Sequence, residues 1–75
     1  MKNNVKADKI INFLNTNNIK YEKVHSYGVT IITFLNKSDW RVQITIPDNS
    51  DVFTVNKFIQ DGFDSDKITD LIEVL

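Results

Sequence analysis

Strict alternation of apolar and polar residues marks residues 40–46 as the strand around which the fold is predicted to form. Trp40, Val42, Ile44 and Ile46 are apolar, and the residues between them are Arg, Gln and Thr. A period of two places one row of side chains on a core and the other row in water. Pro47 ends the strand, because proline removes a donor from the ladder of hydrogen bonds.

Two more strands are predicted before it, at residues 19–27 and 29–35. The second is β-branched or apolar on both faces, which is typical of a central strand. The first mixes apolar and charged side chains, and Lys23 interrupts its apolar row, which indicates an edge strand. Tyr27-Gly28 supplies a turn, and residues 36–39 form a hairpin loop. We therefore expect an antiparallel meander in the order 1-2-3.

Helical spacing predicts one helix before this meander. Ala7, Ile10, Ile11 and Leu14 lie at i, i+3, i+4 and i+7, on one stripe of a helix at about residues 4–16. The asparagines at positions 17 and 18 tolerate the left-handed conformation that ends a helix.

Two helices are predicted after the meander. The first has an apolar stripe at Val52, Val55 and Ile59, with Phe58 beside it. It begins after a cap at Ser50 and ends before the glycine at position 62. The second has apolar residues at positions 68, 71, 72 and 75, and the residue at position 64 or 65 caps it.

The predicted fold class is α+β, a single α-β-β-β-α-α domain covering residues 1–75. The N-terminal helix and the two C-terminal helices pack on one face of the three-stranded sheet. Arg41, Gln43 and Thr45 leave the other face in water.

Composition predicts a protein of the bacterial cytoplasm. The chain has no cysteine, which fits a reducing compartment. Its first residues do not have the pattern of a signal peptide, and no apolar run approaches the ~20 residues of a membrane span. Frequent Asn, Ile and Lys are typical of AT-rich bacterial and phage genomes.

The net charge of -1 conceals a difference between the two halves of the chain. Residues 1–41 contain seven basic and three acidic residues, a net charge of +4, and residues 42–75 contain two basic and seven acidic residues, a net charge of -5. Such an asymmetry bears on binding partners and not on the fold.

Catalytic, metal and cofactor sites are not predicted. His25 is the only histidine, and a metal site needs further nitrogen, sulfur or oxygen ligands. Asp61, Asp64 and Asp66 lie around a glycine, but the spacing of a calcium-binding EF-hand is missing. We expect a protein that is not an enzyme.

An acidic surface is the predicted partner-binding site. The acidic residues of the last third lie at predicted helix starts and turns, so we expect them to be near one another and to attract a basic surface of another protein. Tyr21 and Trp40 are candidate aromatic anchors. The acidic candidates are Asp48, Asp51, Asp61, Asp64, Asp66 and Asp70.

Two other functions remain open at this point. Basic residues of the first half could contact nucleic acid directly. The protein could instead form a homo-oligomer, through its edge strand or through contact between its basic and acidic halves. The candidate nucleic-acid contacts are Lys2, Lys6, Lys9, Lys20 and Lys23.

Several segments resemble the small type II-A anti-CRISPR proteins of phages and prophages. They are the run from Thr30 to Val42, then Asp48-Asn-Ser, then Val55-Asn-Lys-Phe-Ile, then Gly-Phe at positions 62 and 63, within residues 29–63. The resemblance implies an α-β-β-β-α-α fold and a stoichiometric, non-catalytic inhibitor. Such an inhibitor occupies the DNA-binding surface of a CRISPR nuclease through acidic side chains. We therefore expect a protein-binding module of a phage or mobile element that inhibits a host defence protein.

Overall fold

The computed structural model describes residues 5–57 and 60–75, with the side chains of residues 6–57 and 62–75. Within these ranges the chain forms an α-helix, five strands and a short 3₁₀-helix. The strands form one antiparallel sheet in the order β1-β2-β3-β4-β5, so each strand pairs with its neighbour along the chain. The elements are α1 Val5–Thr16, β1 Tyr21–Ser26, β2 Val29–Leu35, β3 Arg41–Pro47, β4 Phe53–Lys57, β5 Gln60–Ser65 and the 3₁₀-helix Ile68–Val74.

The N-terminal helix is confirmed, and it ends as its sequence predicts. Ala7, Ile10 and Leu14 are buried in the core. Asn18 has a φ of 59°, and the backbone N–H of Ile19 donates to the carbonyl of Leu14 at 2.9 Å. This is the hydrogen bond of a Schellman ending, which satisfies a carbonyl that the helix leaves unpaired.

The first three strands are confirmed as a meander, and alternation decides what they bury. In β2 the buried residues are Thr30, Ile32 and Phe34, and in β3 they are residues 42, 44 and 46. The two rows lie side by side on the same face of the sheet, as in the neighbouring pair Ile32 and Ile44. Trp40 lies just before β3 and is half-buried.

The α+β prediction with two C-terminal helices is wrong, because the protein is mostly sheet and residues 53–65 contribute β4 and β5. Phe53 is 0% exposed and Val52 is 44% exposed, whereas a helix with Val52 on its stripe would bury Val52. The buried residues are Phe53 and Val55, which are two positions apart, and Phe-Thr-Val favours strand formation. Phe58 and Ile59, which the helix prediction also used, lie outside the described residues.

The predicted helix caps are wrong for the same reason. Ser50 lies in the turn before β4, where its Oγ accepts a hydrogen bond from the backbone N–H of Val52 at 3.0 Å. The last helix is a 3₁₀-helix that follows Lys67 with no side-chain cap. Its three-residue turn places Leu71 and Val74 in the core and leaves Ile72 60% exposed.

The helices cover one face of the sheet, as predicted, and the other face is open. Buried residues of α1, of the central strands and of the 3₁₀-helix form one cluster. On the open face Arg41 and Gln43 are exposed and Thr45 is half-buried. The only charged side chains that the described strands place there are Glu22, Arg41 and Asp64.

A two-residue turn joins β1 to β2 and carries an unusual residue. Tyr27 has a φ of 53° and Gly28 a φ of 77°, which is the type I′ geometry that suits the twist of a hairpin. Glycine, asparagine and aspartate are the usual residues at such positions, because a larger side chain is strained there. Tyr27 is also fully exposed, at 101%. Tyr27 therefore combines a strained backbone with an aromatic side chain that lies in solvent.

Replacing Tyr27 by asparagine is expected to raise the free energy of unfolding by about 1 kcal/mol, because asparagine tolerates a positive φ and the tyrosine ring has no packing to lose. Urea unfolding followed by circular dichroism measures the change. Tyr27→Ala is the control, because alanine removes the same ring without relieving the strain. An equal stability of the two variants would contradict the explanation.

Candidate protein-binding surface

Five aspartates lie at one end of the sheet, and we call them the acidic end: Asp48, Asp51, Asp64, Asp66 and Asp70. The strand register brings them together. Phe53 pairs with Ser65, so the loop before β4 and the loop after β5 lie side by side. The first loop holds Asp48 and Asp51, and the second holds Asp66.

Both the side chain and the backbone of Asp48 make hydrogen bonds within the protein. Its carboxylate lies 2.9 Å from Nε2 of His25, and its backbone N–H donates to the carbonyl of Gly28 at 2.9 Å. The side chain of His25 is 52% exposed and that of Asp48 is 30% exposed. The pair ties the loop after β3 to the edge strand β1, and it engages the Asp48 carboxylate within the protein.

Asp64 and Asp70 also make hydrogen bonds within the protein. Asp64 is exposed on the open face and accepts a hydrogen bond from Oγ1 of Thr54 at 2.7 Å. Asp70 accepts one from Oγ of the buried Ser65 at 2.5 Å. Both carboxylates are held in fixed positions by these bonds, and Asp64 remains accessible.

Asp51 and Asp66 are the accessible carboxylates of the acidic end that make no side-chain hydrogen bond or ion pair with another described residue. Both are exposed. Lys6 partly offsets the charge nearby, because its Nζ donates to the backbone carbonyl of Asp66 at 3.0 Å. Lys67 follows Asp66 directly.

Asp61 does not belong to this group. It lies near the start of β5, where Lys57 pairs with Gln60, at the opposite end of the strand from Ser65. Its side chain is outside the described residues. The sequence therefore predicted five members of the acidic end and one residue that the fold places elsewhere.

The two candidate aromatic anchors, Tyr21 and Trp40, are both half-buried. Tyr21 packs against the core, and Trp40 lies beside the β2–β3 loop. The backbone N–H of Trp40 donates to Oδ1 of Asn36 at 2.9 Å. Tyr27 is more exposed than either residue, and its sequence position predicted only a turn.

The basic candidates that the structure describes are spread over separate parts of the fold. Lys6 lies at the acidic end, whereas Lys20 lies beyond the other end of α1, beside the start of β1. Lys9 and Lys23 are exposed on different elements, and Lys2 lies outside the described residues. An extended row of phosphate contacts needs cations on a continuous track. Lys6, Lys20 and Lys23 do not form such a track.

Two shallow clefts lie at the end of the sheet opposite the acidic end. One has a volume of about 390 Å³ and is lined by residues that include Tyr21, Arg41 and Glu22. The other, of about 310 Å³, includes Asn17 and Lys37, and both clefts share Lys20 and Leu35. The clefts are open to solvent. The first mixes cationic, anionic and apolar side chains, and the second combines lysine and asparagine with apolar side chains.

No cluster of three or more histidine, cysteine, aspartate or glutamate side chains with the spacing of a metal site occurs in the part of the chain that the structure describes. Over the same part, none of the helices combines the length and the apolar character needed to cross a membrane. His25, the only histidine, is engaged with Asp48.

Comparison with known proteins identifies no relative: no family model, no curated protein and no solved structure matches this chain.

Proposed function

We propose that this protein is a small non-enzymatic module that binds a partner protein with a basic surface through its acidic end. The observation that supports the proposal is the strand register, which places two loops rich in aspartate side by side. Asp51, Asp64 and Asp66 are exposed there. Carboxylates grouped in this way accelerate encounter with a positively charged surface and disfavour negatively charged partners.

The partner class that fits best is a nucleic-acid-binding protein, because its phosphate-binding cleft is a basic surface. The specific form that we propose is inhibition of a host defence protein, such as a CRISPR nuclease, by a phage or mobile-element protein. Inhibition would occur by occupation of the cleft, without a chemical step. The element order implied by the anti-CRISPR resemblance is not the observed one, so the acidic end is what supports this proposal.

The test is capture of bacterial proteins on the immobilised protein and on two double variants. Asp51→Lys with Asp66→Lys reverses the two unbonded carboxylates of the acidic end. The control, Glu22→Lys with Glu73→Lys, makes the same change of net charge at exposed positions toward the other end of the molecule. We expect the same basic protein to bind the wild type and the control, and its recovery to fall at least about tenfold with the acidic-end variant. Circular dichroism checks that all three proteins are folded.

Elution with salt and competition with duplex DNA test whether the captured partner is a nucleic-acid-binding protein. Electrostatic attraction between exposed groups is screened as ionic strength rises, so the captured protein should elute between about 0.1 and 1 M salt. Duplex DNA should release it at low salt, because both ligands would occupy one surface. Equal capture by the two double variants would reject the acidic end, and capture that DNA leaves unchanged would reject a nucleic-acid-binding partner.

A further inference from the structure

Strand β1 is an edge of the sheet with backbone groups directed outward. Because Tyr27-Gly28 is a two-residue turn, Ser26 and Val29 form a hydrogen-bonded pair, and alternate residues of β1 then bond to β2. The same alternation places the carbonyl of Gly28 toward β3, where it accepts the N–H of Asp48. The N–H and C=O groups of the remaining β1 residues, at positions 21, 23 and 25, point away from the sheet.

The edge is also uncovered along its length. Residues 22–26 are all exposed, so no described helix or strand other than β2 lies against them, and Asp48 contacts the strand through the side chain of His25. Exposed edge strands are templates for pairing with another strand, and natural proteins block them with charges, bulges or prolines. β1 contains neither proline nor a register shift in its pairing with β2. Lys23 is the residue that could block a second strand.

When β1 pairs antiparallel with a copy of itself, paired residues must share a face and the outward groups must meet, so the two-fold axis passes through a residue. Axes at the two central residues, Lys23 and Val24, pair the greatest length of the strand. A two-fold axis at Lys23 would place two ammonium groups opposite each other, which is unfavourable. A two-fold axis at Val24 places Lys23 opposite His25 instead. In this second register the two ammonium groups are no longer opposite each other. Lys23 instead lies opposite His25, whose Nε2 is 2.9 Å from the Asp48 carboxylate, so an acidic group is close to it.

The register centred on Val24 also brings the exposed apolar side chains into contact. Val24 is 58% exposed, and it would face Val24 of the second copy. Tyr27, fully exposed at the hairpin tip, would lie beside Tyr21 of the second copy, because these positions are equally distant from the axis. Aromatic pairs of this kind add to the stability of an interface beyond the area that they bury. The strained turn position of Tyr27 is then explained by a contact that the single chain does not make.

We propose that β1 is a pairing strand whose occupant is a second copy of this chain, joined antiparallel about a two-fold axis at Val24 to form a continuous ten-stranded sheet. The axis relates identical surfaces, so the assembly closes as a dimer and leaves β5 as the outer edge on each side. One strand pair is a small interface, so the dimer is reversible and depends on concentration. Asp48 of the acidic end contacts β1 through His25, but the pairing depends on the backbone groups of β1 and on Val24, so the proposal stands without the proposed function.

Sedimentation velocity over a concentration series from about 10 µM to about 1 mM tests the dimer. The mass should rise from the 8.7 kDa of one chain toward twice that value. Val24→Lys places two lysines on the axis and should weaken association by at least about tenfold. Ile72→Lys, at another exposed apolar residue, is the matched control and should have no effect. A constant mass of one chain, or association that Val24→Lys leaves unchanged, would overturn the proposal.

Two further measurements identify the surface that pairs. Amide hydrogen exchange at Lys23 and His25 should slow as the mass doubles, whereas the amides of residues 22 and 24 already bond to β2 and should change little. Tyr27→Asn should stabilise the single chain and yet weaken the dimer by about tenfold, whereas a purely structural tyrosine would change stability alone. Fast exchange at Lys23 and His25 in a sample of doubled mass would place the interface elsewhere and refute the pairing strand.

Discussion

Replacing Phe53 by alanine is expected to remove a large part of the free energy of unfolding. Phe53 is 0% exposed and is among the largest fully buried side chains. Removing a buried phenylalanine costs about 3–5 kcal/mol, because contacts are lost and a cavity remains. A domain of this length has a total stability of about 4–11 kcal/mol. Urea unfolding followed by the fluorescence of Trp40, the only tryptophan, measures the loss.

Val52→Ala is the matched control for this experiment. Val52 precedes Phe53 and is 44% exposed, so its truncation should change stability by no more than about 0.5 kcal/mol. The two neighbours distinguish strand from helix, because a helical segment with its apolar stripe at Val52 and Val55 would lose more stability from Val52→Ala. A larger effect at Val52 than at Phe53 would therefore contradict β4.

Gly62→Ala is expected to destabilise the protein by about 1–3 kcal/mol, because β5 has no room for a methyl group at this position. An added Cβ would overlap both the side-chain Oδ1 of Asn56 and the backbone carbonyl of Val55. The side chain can move, but the carbonyl belongs to the sheet beside the register shift between Val55 and Lys57. Thermal unfolding followed by circular dichroism gives the size of the effect.

A double variant separates the effect of the Asn56 side chain from the effect of the Val55 carbonyl. Asn56→Ala removes the side chain but leaves the Val55 carbonyl, so Asn56→Ala with Gly62→Ala should recover only part of the lost stability. Gly28→Ala is a useful comparison, because its added Cβ meets no atom within 4 Å and its cost of about 1 kcal/mol comes from the φ of 77° alone. Full recovery in the double variant would mean that the backbone contact does not limit the site.

The first half of the fold could be predicted from the sequence because each of its patterns has a single interpretation. Residues 7–14 have only helical spacing, and residues 40–46 alternate without exception. Residues 52–59 satisfy both patterns, since Val55 belongs equally to a stripe with Val52 and to an alternation with Phe53. Short apolar segments are ambiguous in this way, and packing against β3 decides the outcome.

The aspartates were expected to lie near one another because they were placed at helix starts, whereas the structure groups them by strand pairing. The helix starts expected at Asp51 and Asp64 do not exist, and pairing of β4 with β5 brings these residues together. The same pairing carries Asp61 to the other end of the strand. Tyr27 could have been singled out from the sequence alone, because tyrosine directly before the glycine of a two-residue hairpin is unusual where asparagine or aspartate is preferred.

The order of the strands also determines how the chain can reach this structure. Every strand pairs with the strand made just before or after it, so sheet formation requires only short loops to close, and contacts between chain neighbours favour rapid folding. The last helix is different, because it packs against α1 and the bond from Lys6 to Asp66 spans 60 residues. During synthesis the meander can therefore assemble progressively, while one side of α1 remains exposed to solvent until residues 68–74 have been synthesised. That interval is when the nascent chain is most exposed to aggregation.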